Sequence, residues 1–321
     1  MRKFNGRHHV GWHSTDPWLL VEAADRGCER LEDRVHLAGD VRAVLSSAGH
    51  LRIIGTPLDN QVVITSDAFG NITVSGLPGT GTTVNGATVT TFFETGGSHI
   101  SGNLTCVMKG GSDYVEIDGI YVERDVRINM AAGEDTVGIF DTFVMDDLTI
   151  IGGTGGEVIG MSRSNIGDRL RIVGGGGEDL IGIASCVMVG GYTSLIGGGE
   201  TDLILIQGNY GDRVNVVMGA GNDAVYTSQV AIVRDLRVNL GTGDDGILEG
   251  NHMSVAQNGT LIGGAGNDTQ IFVPFVGYFP LVRTVEVSLM DPTANDDINT
   301  MAVVISVVYV SRGGDPADIP C

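Results

Sequence analysis

From about residue 104 onward, apolar and polar residues alternate over short runs, and the runs recur. Val115, Val137, Ile159 and Ile181 fall 22 residues apart, and the column continues as Ile204, Val225 and Ile247. Two residues further along, Ile117, Ile139, Met161, Ile183 and Ile206 follow in parallel. A second set runs Val122, Val144, Ile166, Met188, Tyr210 and Ile232. A third begins Leu104, Val126, Leu148, Leu170 and resumes at Val214 and Leu236. It repeats two residues on as Cys106, Ile128, Ile150, Ile172, Val216 and Val238, with Leu195 expected to fill the gap near position 192. Spacing of i, i+2 within each run is strand period, not helix period. The dominance of β-branched residues suits strands.

Three short strands separated by turns fit into 22 residues. Stacking such coils at the ~4.8 Å interstrand spacing buries each inward column against itself. The predicted fold is all-β: a single-stranded parallel β-helix with three strands per coil, right-handed by chain chirality. Residues 104–290 form this body, about eight coils and ~40 Å long. Residues 41–103 are β-rich but out of register, with strands expected at Leu51–Ile54, Val62–Thr65, Asn71–Val74 and Ala87–Phe93. They read as irregular early coils or a cap, which an open solenoid end needs. The Asn85-Gly86 turn allows a hairpin. At the far end Phe272, Phe275, Tyr278 and Phe279 break the period and read as a cap or last coil. Residues 291–321 supply a capping strand, Met301–Val310, and a tail.

Composition sharpens this picture. The 321 residues include 50 glycines, and 39 acidic side chains face 19 basic ones for a net charge of −20. So acidic a surface repels phosphate, which excludes a nucleic-acid partner. No apolar run approaches the ~20 residues of a membrane-spanning helix. Collagen is excluded because the glycines do not recur at every third position.

Glycine and acid meet at one place in the repeat. An acidic residue follows each glycine turn at Asp113, Asp135, Glu157, Asp179, Asp202, Asp223, Asp245 and Asp268. Residues 174–179 read G-G-G-G-E-D and residues 263–268 read G-G-A-G-N-D, with near matches at 218–223 and 240–245. These turns resemble the haemolysin-type calcium-binding repeat, G-G-x-G-x-D-x-U-x with U apolar. The resemblance implies Ca2+ held by Asp135, Asp179, Asp202, Asp223, Asp245 and Asp268, with Gly174, Gly177, Gly219, Gly221, Gly241, Gly243, Gly263 and Gly266 shaping the turns. The residue types make chemical sense. Glycine permits tight turns that aim carbonyls inward, and calcium takes 6–8 oxygens. The pattern also departs from the family: one motif occurs per coil instead of two in tandem. Gln270 replaces an apolar residue, and Glu200 replaces the last glycine of its turn. The alternative is that each aspartate hydrogen-bonds the turn backbone and points to water.

A second ladder comprises Arg124-Asp125, Asp146-Asp147, Asp168-Arg169, Asp212-Arg213 and Arg234-Asp235. The sign swaps between coils, so cross-coil ion pairs are expected, serving register and solubility. Of the four cysteines, Cys106 and Cys186 lie too many coils apart for a disulfide and read as buried thiols. Cys28 and Cys321 lie near the ends.

Residues 1–40 read as a leader or disordered segment. They hold His8, His9 and His13 but no ordered scaffold for a metal. Cys28–Asp40, C-E-R-L-E-D-R-V-H-L-A-G-D, resembles the L-E-x-R…L-A leader of large bacterial surface and exported proteins. That resemblance implies processing near Leu37-Ala38 and an extracellular or cell-surface location.

Two functions follow. The first is a non-enzymatic structural or adhesion solenoid, stabilised by calcium and facing cell-envelope or matrix components. The second is a β-helix lyase or hydrolase acting on an extracellular glycan. Arg127, Arg171 and Arg237 share an outward column, and Asp244-Asp245 is a carboxylate pair. No nucleophile–base constellation accompanies them.

Overall fold

The computed structural model describes residues 38–66, 69, 71–93, 99–184, 186–250, 253–272 and 284–288. The readings of the leader, the histidine cluster, Cys28, Cys321, Phe275, Tyr278, Phe279 and Met301–Val310 fall outside these residues.

The described chain is all-β, and its parallel coils stack into a β-solenoid of about seven turns. Each coil contributes to three stacks. The first contains Gln61–Ser66, Tyr114–Asp118, Thr136–Phe140, Val158–Ser162 and Leu180–Ile183. The second contains the two-residue strands His99–Ile100, Tyr121–Val122, Phe143–Val144, Asn165–Ile166 and Met188–Val189. The third runs from Leu51–Ile54 through Leu104–Val107, Val126–Ala131, Leu148–Gly153, Leu170–Gly176 and Thr193–Gly199. It continues through Val214–Ala220, Leu236–Thr242 and Asn258–Ala265 to Thr284–Ser288. In the coils of Leu203–Tyr210 and Ala224–Ile232 the first two stacks merge into one long strand.

The inward columns are the ones the 22-residue period predicts. Val115 sits opposite Val137, and Ile117 opposite Ile139; all four are at most 1% exposed. Each such burial contributes about 1.5–3 kcal/mol.

Three register assignments change. The coil that begins at Leu180 carries one extra residue before its second strand, so Val189, not Met188, stacks on Ile166. Met188 is turned outward at 48% exposure. Leu195 does continue the Ile172 column, but the Leu170 column passes through Thr193, a fully buried hydroxyl residue. Residues 51–66 are not out of register: Leu51 stacks on Leu104, and Val62 on Val115.

The rest of the early segment closes the end of the stack. Asp40–Leu45 pairs antiparallel with Leu51–Ile54. Ile72–Gly76 pairs antiparallel with Gln61–Ser66, and Val89–Phe92 with Ile72–Gly76. Antiparallel strands cannot continue a parallel coil, so the exposed ladder ends here. Asn85 and Gly86 both take positive φ, 53° and 78°, as a two-residue hairpin turn of this type requires.

Candidate functional site

The glycine–aspartate turn joins the third stack to the first. Two glycine columns build it, and both are needed for space. Gly241 has φ 110°, and a Cβ there would come within 1.9 Å of the Gly219 carbonyl oxygen. At Gly243 the corresponding distance to the Gly221 carbonyl oxygen is 1.6 Å. Gly219 and Gly241 belong to the first column; Gly177, Gly221, Gly243 and Gly266 belong to the second. Each column glycine therefore faces the carbonyl of the coil before it.

Gly174 and Gly263 play a different part. They occupy an inward column whose other members include Met130, Met218 and Leu240. At Gly174 the missing side chain leaves room for a carboxylate, and a Cβ would lie 2.1 Å from Asp179 Oδ2. Glu200, in the second column, takes φ 69°, so a side-chain residue carries the strain that glycine relieves in its neighbours.

All of the proposed acidic ligands come together in one file, and the file points inward. Asp113, Asp135, Glu157, Asp179, Asp202, Asp223, Asp245 and Asp268 are each 1–3% exposed. The alternative that they point to water is corrected on this point, although its hydrogen bonds to backbone are present. Each bond crosses to the preceding coil. The Asp113 amide donates to Asp135 Oδ1 at 2.7 Å. The Glu157, Asp179, Asp202 and Asp223 amides donate to the next aspartate's Oδ1 at 2.8, 2.9, 2.8 and 2.8 Å. Asp245 donates to Asp268 Oδ1 at 3.2 Å, and Asn60 starts the file by donating to Asp113 Oδ1 at 2.7 Å. Glu157 is the exception: its longer side chain folds back to accept from the Gly155 amide at 3.2 Å.

One oxygen of each carboxyl is thus engaged. The second oxygens of Asp113, Asp135, Asp202, Asp223 and Asp245 are buried without a hydrogen-bond partner. Burial pushes Asp113 and Asp202 up to about 7, and Asp135 and Asp245 up to about 6. Asp223 is raised for the same reason. The carboxyls of Glu157 and Asp179 meet, and burial followed by this contact holds Glu157 above the ordinary carboxylate range. The charges acting on the file are other acids, including Asp59, Glu178 and Asp244.

This donor set matches the anionic part of a calcium shell. The file offers orphan oxygens on consecutive coils. The column carbonyls do not supply the carbonyl part, because they face the next coil's glycine Cα atoms. Among the described residues no group of three or more His, Cys, Asp or Glu is placed to hold a metal ion. The Asp244-Asp245 pair is divided between surface and core. Asp244 is exposed and accepts from the Asn267 amide at 2.9 Å, while Asp245 belongs to the buried file.

At the turn between the second and third stacks the mixed ladder forms its predicted cross-coil pairs. Arg234 meets Asp212 at 3.2 Å, Arg213 meets Asp235 at 3.7 Å and Arg169 meets Asp147 at 3.8 Å. The arginine column is also real and longer than the sequence suggested. The register row runs Arg52, Thr105, Arg127, Thr149, Arg171, Ser194, Asn215, Arg237 and Thr260. Cys106 is a buried thiol, raised to about 12 by that burial. Cys186 departs from expectation: it is half-buried, at φ 64° in the turn that carries the extra residue.

Comparison of the chain with models of protein families, with curated proteins and with solved structures finds no match.

Proposed function

We propose that the chain is a non-enzymatic structural solenoid, exported to the cell surface or matrix. The observation that carries this reading is the uniformity of the coils. The carboxyl file and the strands that directly follow it keep one register from Asp113 to Asp268. Such regularity serves length and stiffness. Calcium is the finer part of the proposal. The orphan oxygens of the buried file are where the ion would act, relieving the repulsion among neighbouring carboxylates.

Melting of the full chain with and without calcium tests this. Calcium is expected to raise the melting temperature and a chelator to reverse the rise, with the effect reduced in Asp179→Ala, Asp223→Ala and Asp268→Ala. A chelator-insensitive melt would remove calcium from the reading. Fractionation of cells with N-terminal sequencing tests export; an intact chain retained in the cytoplasm would oppose it. Release of reducing ends from an extracellular glycan would place the chain among the enzymes instead.

A further inference from the structure

Where the mixed ladder meets the outer surface of the third stack, the solenoid carries a groove of about 770 Å³. Its lining includes Tyr192, Arg213, Asn215, Asp235, Arg237 and Thr260. Asn215, Arg237 and Thr260 are consecutive members of the outward row. They are therefore spaced at ~4.8 Å along the stack. The lining spans four successive coils, from Tyr192 to Thr260, so an elongated ligand in it lies along the solenoid.

The chemistry of the walls narrows the ligand. Val214 and Leu236 touch the groove, but their side chains belong to the core at 1% and 3% exposure. Apart from Tyr192, the other side chains of the lining are polar, which offers no apolar pocket for a peptide side chain. Charge is balanced, since Asp212 and Asp235 offset Arg213 and Arg237. Asp235 is held in place by Asn258, whose Nδ2 donates to its Oδ1 at 2.8 Å, and by Arg213 at 3.7 Å. Guanidinium, amide, carboxylate and hydroxyl groups thus stand side by side, with the Tyr192 ring at one end. Neighbouring donors and acceptors on planar groups match vicinal hydroxyls, each of which both donates and accepts. An aromatic ring adds a face for the C–H side of a pyranose. A polyanion is disfavoured by the net charge of −20.

We propose that this groove binds a neutral oligosaccharide lying along the solenoid axis. This rests on the reading of the chain as a surface component and names the class of partner it faces. The test is calorimetric titration of the full chain with cellotetraose and maltotetraose as neutral probes and tetragalacturonate as the anionic one. The expected result is saturable binding of a neutral probe, weakened at least tenfold in Arg237→Ala and Asn215→Ala. Arg163→Ala, on a different turn, is expected to bind as the parent does. Melting temperatures of all variants, measured alongside, identify any that fail to fold. Tyr192→Phe provides a second groove variant that keeps the ring and loses only the hydroxyl; it is expected to bind more weakly than the parent and more tightly than Arg237→Ala. Binding of the uronate alone, binding unaffected by the groove variants, or no binding of either neutral probe to a folded chain overturns the proposal. None of these three results bears on the melting behaviour that tests the structural reading.

Discussion

Two corners of the coil carry ladders of acidic residues, and they work in opposite ways. At the glycine corner the carboxyls are buried in one file, and all but Glu157 spend one oxygen on the backbone of the preceding coil. At the corner before the third stack the aspartates alternate with arginines and remain partly exposed. In the Arg234–Asp212 pair the side chains are 46% and 31% exposed. Charge at the second corner is neutralised by neighbours and screened by water. At the first corner a carboxyl must be protonated, find a cation, or bear its burial cost. Residue type is therefore a poor guide to role in this chain; position relative to the strand is the better one.

The comparison can be broken most severely at the glycines. Gly243→Val places a side chain against the Gly221 carbonyl and forces a branched residue to φ 142°. A loss of roughly 4 kcal/mol or more is expected, read by denaturant unfolding.

The next test is pH. The file's carboxyls have folded pKa values above their unfolded ones, so their contribution is fully present below about pH 4. It is lost as pH rises through the folded values, about 6 for Asp135 and Asp245 and about 7 for Asp113 and Asp202. In the absence of metal the melting temperature is expected to fall between pH 5 and pH 8, by on the order of 10 °C. A melting temperature that instead climbed over this range would overturn the assignment of raised carboxyls to the buried file.

Asp202→Ala and Asp202→Asn separate the two tasks of a file member. Alanine leaves the buried Asp179 amide without its acceptor, at a cost of roughly 1–3 kcal/mol at pH 5. Asparagine keeps the acceptor and removes the charge, so it is expected to be the more stable of the two at pH 8. Equal effects would mean that the backbone bond matters little. Glu200→Gly relieves a left-handed φ of 69° and is expected to gain about 1 kcal/mol. The smallest effect belongs to the open corner, where Arg234→Ala is expected to cost under about 1 kcal/mol and to lose even that in high salt.

Much of this was readable from residue spacing. The columns, the stacking and the cross-coil ion pairs all follow from a 22-residue step. The inward turn of the aspartates was readable too. Asp113, Val115 and Ile117 share one parity, so the alternation that buries Val115 and Ile117 also buries Asp113. The calcium-like motif specifies the chemistry of the acid and carries no information on its side of the strand. The shift from Met188 to Val189 was harder, because both are apolar and the extra residue sits in an irregular turn. The left-handed positions at Asp141, Arg163 and Gln229 left no compositional mark, since the turn before the second stack does not require glycine there.

The direction of the amide-to-carboxyl bonds has a consequence for how the chain is made. At six corners, from Asp113 to Asp245, the amide donates to an aspartate that lies about one repeat later in the chain. A nascent chain leaving the ribosome, or a secretion channel that delivers the N-terminus first, therefore always carries one unlatched corner at its growing end. The antiparallel strands at Asp40–Leu45 and Val89–Phe92 shut the opposite end. Growth is polar, like a zipper with a fixed stop at one end. Removing one whole repeat from the middle should rejoin latch to catch and yield a shorter rod rather than a broken one.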